Sequence, residues 1–203
     1  MHNKKPTSDT SDDYETPTYI WNLILKHIPK DKIIYEPFYL NGRSGDYIKS
    51  QGYDCIHEDT DFFTNEYTYD IIISNPPFSK RKEIFEKLKE INKPFALIVP
   101  LQTLTNVYFK SLFNENVQII IPNNRIGFIK NDVWTRGADF DSIILTNNLN
   151  LPKDIIYENE IVTRPINTYD CPYCKITVTA RGKSSHNKGK EHKKNSEAYF
   201  FSL

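Results

Sequence analysis

The sequence has little that would suggest a membrane protein, a secreted protein or a disulfide scaffold. No apolar run in its 203 residues approaches the length that spans a bilayer, and the amino end is polar and acidic rather than signal-like. There are only three cysteines, and two of them lie three positions apart, a spacing that favours metal over a disulfide framework. We therefore expect a soluble intracellular protein, of the cytoplasm or nucleus, with one domain and a small appendage.

The sequence also lacks net charge, yet its charges are unevenly distributed. Residues 1–61 carry 7 basic and 11 acidic side chains, whereas residues 164–195 carry 8 basic and 2 acidic ones. A basic tail on a neutral body favours a polyanion as the partner of that tail, although a solvated charged helix would have the same composition.

Short apolar runs alternate with amphipathic segments over residues 14–150. The pattern predicts helices at 18–27, 46–50, 79–91 and 106–113, and buried strands at 32–38, 53–57, 71–73, 95–100 and 117–121. Two further strands, 126–129 and 142–145, are predicted to form an antiparallel edge pair. This alternation predicts an α/β fold with a doubly wound, Rossmann-like, mainly parallel sheet. Residues 1–13 are predicted to be a disordered tail and 151–168 a linker.

A rigid turn, Asn75-Pro76-Pro77-Phe78, follows the three consecutive isoleucines of the third predicted strand. Two prolines fix its backbone and remove two N–H groups. The turn falls at the carboxyl end of the strand, where open α/β sheets bind ligands. Asn75 and the Pro76 carbonyl can accept the hydrogens of an amino group, and Phe78 can stack on a ring. A turn that merely ends a strand could have the same sequence.

A second candidate region is the loop after the first predicted strand, Glu36-Pro37-Phe38-Tyr39-Leu40-Asn41-Gly42. In Rossmann-like sheets a glycine here lets the backbone approach a cofactor, and an acid after the second strand binds ribose hydroxyls. Glu58 or Asp59 is placed for the latter role, although either could be a solvated loop residue. His27 and His57 are predicted to be structural or surface residues.

Taken together along the chain, the motifs of residues 14–146 resemble those of the small viral and phage-like S-adenosylmethionine-dependent methyltransferases that modify adenine N6 in nucleic acid. The turn matches their Asn-Pro-Pro-Phe motif, and the loop resembles their Asp-Pro-Phe-x-Gly-x-Gly motif with Leu40 in place of the first glycine. The resemblance implies that Asn75, Pro76, Pro77 and Phe78 hold the target base. It also implies that the methyl donor, S-adenosylmethionine, is held by Tyr14, Thr16, Pro17, Glu36, Pro37, Phe38, Gly42, Glu58 and Asp61.

The implied reaction is direct displacement, in which the target amine attacks the sulfonium methyl group without a covalent enzyme intermediate. DNA is the favoured substrate because most small enzymes with this turn act on DNA, and RNA is an alternative. Methylation of a protein glutamine amide and a catalytically silent nucleic-acid-binding module are further alternatives. The bias towards Ile, Asn, Lys and Tyr suggests an AT-rich genome such as that of a large DNA virus.

The carboxyl end contains a second motif, with Cys171, Cys174, His186 and His192 in the pattern Cys-x2-Cys-x11-His-x5-His. Two thiolates and two imidazoles at such spacing form a closed tetrahedral Zn2+ site. Residues 169–196 resemble matrin-type Cys2His2 fingers, several of which bind double-stranded RNA, and so imply a small ββα-like zinc finger. Its phosphate contacts would come from Arg181, Lys183, Lys188 and Lys190. Alternatively, the finger docks a protein.

Overall fold

The computed structural model describes residues 14–113, 115–130 and 141–159, and the backbone of 133–134, 168–170 and 177–179. The chain divides into two compact units, residues 1–162 and residues 163–203. The predicted metal ligands Cys171, Cys174, His186 and His192 lie outside the described residues.

The first unit is built on a seven-stranded sheet. Its strands and the hairpin beside it are β1 (Ile34–Tyr35), β2 (Cys55–Ile56), β3 (Ile71–Ser74), β4 (Phe95–Pro100), β5 (Val117–Ile121), β6 (Ile129–Lys130), β7 (Val133–Trp134), β8 (Ser142–Asn147) and β9 (Ile155–Tyr157). The α-helices are α1 (Thr18–Leu25), α2 (Arg43–Ser50), α3 (Arg81–Ile91) and α4 (Val107–Leu112). In the second unit, the backbone of β10 (Thr168–Asp170) pairs antiparallel with β11 (Thr177–Thr179).

The strands of the sheet run in the order β2-β1-β3-β4-β8-β5-β9, and six of the seven are parallel to one another. The predicted α/β fold with a mainly parallel, Rossmann-like sheet is therefore confirmed. No described helix is long and apolar enough to cross a bilayer.

Both faces of the sheet are covered, which explains why its strands are continuous apolar runs. Along β4, Ala96 and Ile98 join a core that includes α1 residues such as Ile24. The alternate residues, such as Leu97, join a second core with α3 and α4 residues, including Phe85. Each fully buried isoleucine or leucine contributes roughly 1.5–3 kcal/mol to folding. The two cores together hold the carboxyl ends of β1, β3 and β4 at the same end of the sheet.

The predicted edge pair at 126–129 and 142–145 is wrong. Strand β8 lies in the interior of the sheet, antiparallel to both β4 and β5, and all six of its residues are buried. Ile129 instead pairs with Trp134 in a separate hairpin and makes a bridge to Glu15. A central strand is a continuous apolar run whether it is parallel or antiparallel to its neighbours, so the pattern could not predict the direction of β8 in the sheet.

Three residues of the range predicted as linker, Ile155–Tyr157, form strand β9 and extend the sheet beyond β5. The segment continues to Glu158, whose buried carboxylate pairs with Lys26 and lies 3.4 Å from Nε2 of His27. The sheet therefore continues further along the chain than predicted.

The helix predicted at 79–91 begins two residues later than expected, because Ser79 lies inside a 3-10 turn, Phe78–Lys80, and α3 begins at Arg81. Helix α1 begins at Thr18 as predicted, with Pro17 in the capping position and no side chain capping the helix. The Thr16 hydroxyl is consequently left for another role.

Candidate active site

A cleft of about 320 Å³ opens at the carboxyl ends of β1 and β3. A volume of this size is at the lower end of the range of small-molecule sites. Its described wall consists of Tyr14, Glu15, Thr16, Trp21, Glu36, Pro37, Phe38, Tyr39, Leu40, Asn41, Ser44, Asp59, Thr60, Asn75 and Pro77. The cleft thus brings together residues from all four segments that the sequence singled out, at 14–17, 36–42, 58–61 and 75–78.

The amino-terminal segment is held across the cleft by both backbone and side chains. Glu15 exchanges two backbone hydrogen bonds with Ile129, of 2.8 and 2.9 Å. The Glu15 carboxylate accepts hydrogen bonds from Asn41 Nδ2 at 2.9 Å and Arg43 Nη1 at 3.1 Å. These contacts tie residues 14–16 to the loop after β1, so Tyr14 and Thr16 lie on the wall as predicted.

The Asn75 amide has one satisfied end and one unsatisfied end. Its Nδ2 donates to the Tyr14 carbonyl oxygen at 3.4 Å, whereas its shielded Oδ1 has no hydrogen-bond partner among the described residues. The Thr16 hydroxyl, also on the wall, is likewise without a partner in the described part of the chain. An unsatisfied buried acceptor costs roughly 1–3 kcal/mol, so these two oxygens identify where a ligand would gain hydrogen bonds.

Phe78 begins the 3-10 turn and is held by its own loop. Arg81 Nε donates to the Phe78 carbonyl oxygen at 2.8 Å, and the guanidinium carbon lies 5.8 Å from the Phe78 ring centroid. Pro77 lies on the wall of the cleft, while Pro76 and Phe78 are not part of it.

The loop after β1 contains two left-handed residues. Gly42 has φ +81°, and Leu40, at the position of the first glycine in the resembled motif, has φ +47°. Leu40 is 52 % exposed and lines the cleft. The local backbone therefore adopts the glycine conformation at a position where the side chain makes it costly, by roughly 1–2 kcal/mol.

The predicted donor-binding acids have other partners. Glu58 accepts a hydrogen bond from the Tyr67 hydroxyl at 2.8 Å, and Asp61 accepts one from the backbone N–H of Phe63 at 2.9 Å. Neither is on the wall, and neither are Pro17 and Gly42. Asp59, the alternative to Glu58, is exposed on the wall together with Thr60.

Glu36 lies at the base of the cleft and is only 2 % exposed. Its carboxylate accepts hydrogen bonds from the hydroxyls of Ser74 and Ser44, and it forms an ion pair with His57 at 2.7 Å. Burial alone would lower the pKa of His57, but the hydrogen bond and the negative charge of Glu36 outweigh it and hold that pKa above its usual value. For His57 the sequence predicts only a structural or surface position.

Gly45 has a packing role that the pattern did not reveal. It lies in α2, and a Cβ at this position would lie 2.4–2.5 Å from Cδ2, Cβ and Cγ of His57. A glycine inside a helix is the one sequence signal that could have found this close approach.

The environment of Cys55 does not favour covalent catalysis by its thiol. Burial, with a smaller contribution from Glu36, raises the pKa of the Cys55 thiol to about 12. Among the described residues, no three His, Cys, Asp or Glu side chains are grouped so that they could hold a metal ion.

No protein-family profile matches the chain, and a search of curated protein sequences also finds no match. Solved structures that are similar to it include a dimethyladenosine transferase from Plasmodium falciparum (14 % identity, TM-score 0.43), aligned over 66 % of this chain and 62 % of that one. A putative class I S-adenosylmethionine-dependent methyltransferase from Listeria monocytogenes aligns over 70 % of this chain and 64 % of that one (12 % identity, TM-score 0.43). A methyltransferase from Pyrococcus furiosus aligns over 71 % and 87 % (16 % identity, TM-score 0.37). The chain spans less than two thirds of the Plasmodium and Listeria proteins, and a functional assignment therefore depends on the site itself.

Proposed function

We propose that this chain is an S-adenosylmethionine-dependent methyltransferase that acts on adenine N6 in nucleic acid, with DNA as the first substrate to test. The observation that carries the proposal is the Asn75 amide. Its Nδ2 is engaged by the Tyr14 carbonyl, which orients the amide, and its Oδ1 is left without a partner in the described structure. An exocyclic amine supplies the N–H donor that this oxygen lacks.

The wall of the cleft fits the methyl donor. The unpartnered Thr16 hydroxyl offers a hydrogen bond, and the exposed Asp59 carboxylate can accept from ribose hydroxyls. Tyr39 and Leu40 provide apolar surface beside them. The bound donor supplies a methyl group on a sulfonium, and transfer makes a nitrogen–carbon bond while the sulfur–carbon bond breaks.

The residues of the chain contribute position rather than covalent chemistry. Asn75 Oδ1, together with the Pro76 carbonyl, would accept the two amine hydrogens and direct the nitrogen lone pair at the methyl carbon. The rigid Pro76-Pro77 backbone keeps this geometry at little entropic cost. The proton of the methylated amine then leaves to water. A base in a duplex would first be flipped out, and Phe78 would stack on it.

We further propose that residues 169–196 form a Zn2+-binding Cys2His2 finger, with Cys171, Cys174, His186 and His192 as ligands. The support is the spacing of these four residues, together with the antiparallel strands β10 and β11, which precede and follow Cys171 and Cys174 in sequence. The basic side chains Arg181, Lys183, Lys188 and Lys190 would contact phosphates. The resemblance to RNA-binding fingers keeps RNA as the alternative substrate, and docking to a protein as the alternative role.

The test is transfer of labelled methyl from S-adenosylmethionine to duplex DNA, single-stranded DNA and structured RNA. We expect label at adenine N6, a loss of at least about a hundredfold in kcat for Asn75→Ala, and no change for Gln51→Ala. Gln51 is a matched control because it is an exposed carboxamide at the far end of α2. Transfer to RNA alone would reassign the substrate. No transfer to any polymer, with no binding of S-adenosylhomocysteine, would leave a nucleic-acid-binding module.

A further inference from the structure

A buried, charged cluster lies directly beneath the cleft and joins four segments of the fold. Glu36 follows β1, His57 follows β2, Ser74 ends β3 and Ser44 lies in the first turn of α2. The side chains of Glu36 and His57 are each only 2 % exposed. Buried charges are rare unless they are paired and fully hydrogen-bonded, so the bonds of this cluster can be counted.

Both carboxylate oxygens of Glu36 are engaged by the protein. Its Oε1 accepts from the Ser74 hydroxyl and from the backbone N–H of Phe38 at 3.3 Å. Its Oε2 accepts from the Ser44 hydroxyl at 2.7 Å and lies 2.7 Å from His57 Nδ1. The single hydrogen on Nδ1 also faces the Glu36 carbonyl oxygen at 2.8 Å, so at least three of the about four lone-pair positions of the carboxylate are used.

The contacts of His57 show how the ring is held against Glu36. Nδ1 faces two acceptors, Glu36 Oε2 and the Glu36 carbonyl oxygen at 2.8 Å, so it is a donor. Nε2 lies 3.3 Å from the Ser44 oxygen, whose hydroxyl group can donate either to Glu36 or to Nε2. A proton on Nε2 would make His57 the imidazolium cation and the cluster an ion pair, and the carboxylate beside the ring favours that form.

We infer that the Glu36–His57 ion pair is a positioning device that locks the Asn75 turn to the loop of the donor cleft. Ser74 immediately precedes Asn75, while Phe38 and Ser44 belong to the loop and helix on the donor side. This role rests on the proposed function and differs from the direct donor contact that the resemblance implied for Glu36.

The surroundings of His57 keep the pair in place. The Tyr39 ring stacks on the imidazole, with centroids 4.9 Å apart and planes 26° apart. Gly45 packs against its other atoms, and Lys49 in α2 is the positive charge that opposes its protonation. Glu36 is the acid that favours the cation, and its charge acts at hydrogen-bond distance.

The first measurement is the titration of His57 by NMR, which requires no methyl transfer. We expect His57 to titrate above the ordinary value of about 6.5, and to return to that value or below in Glu36→Gln. A wild-type His57 that titrates at or below the ordinary value would overturn the inference.

The second measurement separates positioning from binding. In Ser74→Ala we expect kcat to fall about tenfold or more, with the Kd for S-adenosylhomocysteine changed less than about threefold. Ser50→Ala is the matched control, because this exposed α2 hydroxyl donates to the Tyr47 carbonyl and accepts from Gln51 Nε2, and neither partner lies on the wall of the cleft. A weakened Kd with unchanged kcat would instead make the cluster part of the donor site.

Failure of the proposed function can be told apart from failure of this inference. If the wild-type protein methylates nothing, amide hydrogen exchange at Asn75 and Phe78 replaces kcat as the measurement. We expect that exchange to speed up in Ser74→Ala and Glu36→Gln but not in Ser50→Ala. Unchanged exchange in both variants would refute the lock, whatever the protein's activity.

Discussion

The substitution Gly45→Ala tests the close approach of α2 to the base of the cleft. The added Cβ would lie 2.4–2.5 Å from three atoms of His57, including Cβ and Cγ. These atoms are next to the backbone, so rotation of the imidazole cannot relieve the clash. The ring is also held by Glu36 and by the stacked Tyr39.

The expected magnitude follows from two opposing effects. Alanine is favoured over glycine in a helix by up to about 1 kcal/mol. Overpacking of a rigid site costs about 1–3 kcal/mol, and a clash with atoms next to the backbone places Gly45→Ala at the upper end. We therefore expect the free energy of unfolding to fall by about 2 kcal/mol, measured by urea denaturation followed by circular dichroism.

A double-mutant cycle provides the control. The substitution His57→Gly removes all three clashing atoms, although by itself it destabilises the protein by leaving Glu36 unpaired. In that background Gly45→Ala should become neutral or stabilising by up to about 1 kcal/mol, because only the helix propensity remains. An equal loss of stability in both backgrounds would refute the proposed contact.

Two further predictions concern the donor loop and its buried histidine. Leu40→Gly should raise the free energy of unfolding by about 1 kcal/mol, because it relieves the left-handed φ of +47°. Leu101→Gly, at a similarly exposed leucine, should lower the free energy of unfolding. An equal loss of stability in both variants would contradict this account. Because the pKa of His57 is raised by Glu36, its protonation stabilises the fold below about pH 6.5 and ceases to do so as the pH rises through the folded-state pKa. The difference in unfolding free energy between the wild type and His57→Gln should therefore narrow above that pH in urea titrations, and a difference independent of pH would be the contrary result.

The periodicity of the sequence was sufficient to predict the parallel part of the sheet. Strands such as Phe95–Pro100 and Val117–Ile121 are apolar at every position or nearly so, since they are covered on both faces. The apolar pattern could not predict how the strands pair. Strand β8 is as fully buried as β4 and is antiparallel to it, and β9 carries two exposed apolar residues, Ile155 and Tyr157, that give no buried-strand pattern.

For the candidate site, the sequence located the segments better than the roles of their side chains. The motifs placed Tyr14, Thr16, Glu36 and Asn75 together, and the structure brings all four to one cleft. The motif could not show which of these polar groups are already satisfied. Hydrogen-bond partners come from Ser44, His57 and Ser74, which are distant in sequence and have no shared pattern with Glu36.

The hydrogen bonds of Glu36 and the unsatisfied state of Asn75 and Thr16 have opposite consequences for ligand binding. A carboxylate whose two oxygens are both hydrogen-bonded within the protein gains little from a ligand, and it would lose a bond if it turned towards one. An enclosed oxygen with no partner among the described residues gains a whole hydrogen bond when a donor arrives. The side chains that gain most from a bound ligand are thus Asn75 and Thr16, whereas Glu36 holds the cleft in shape.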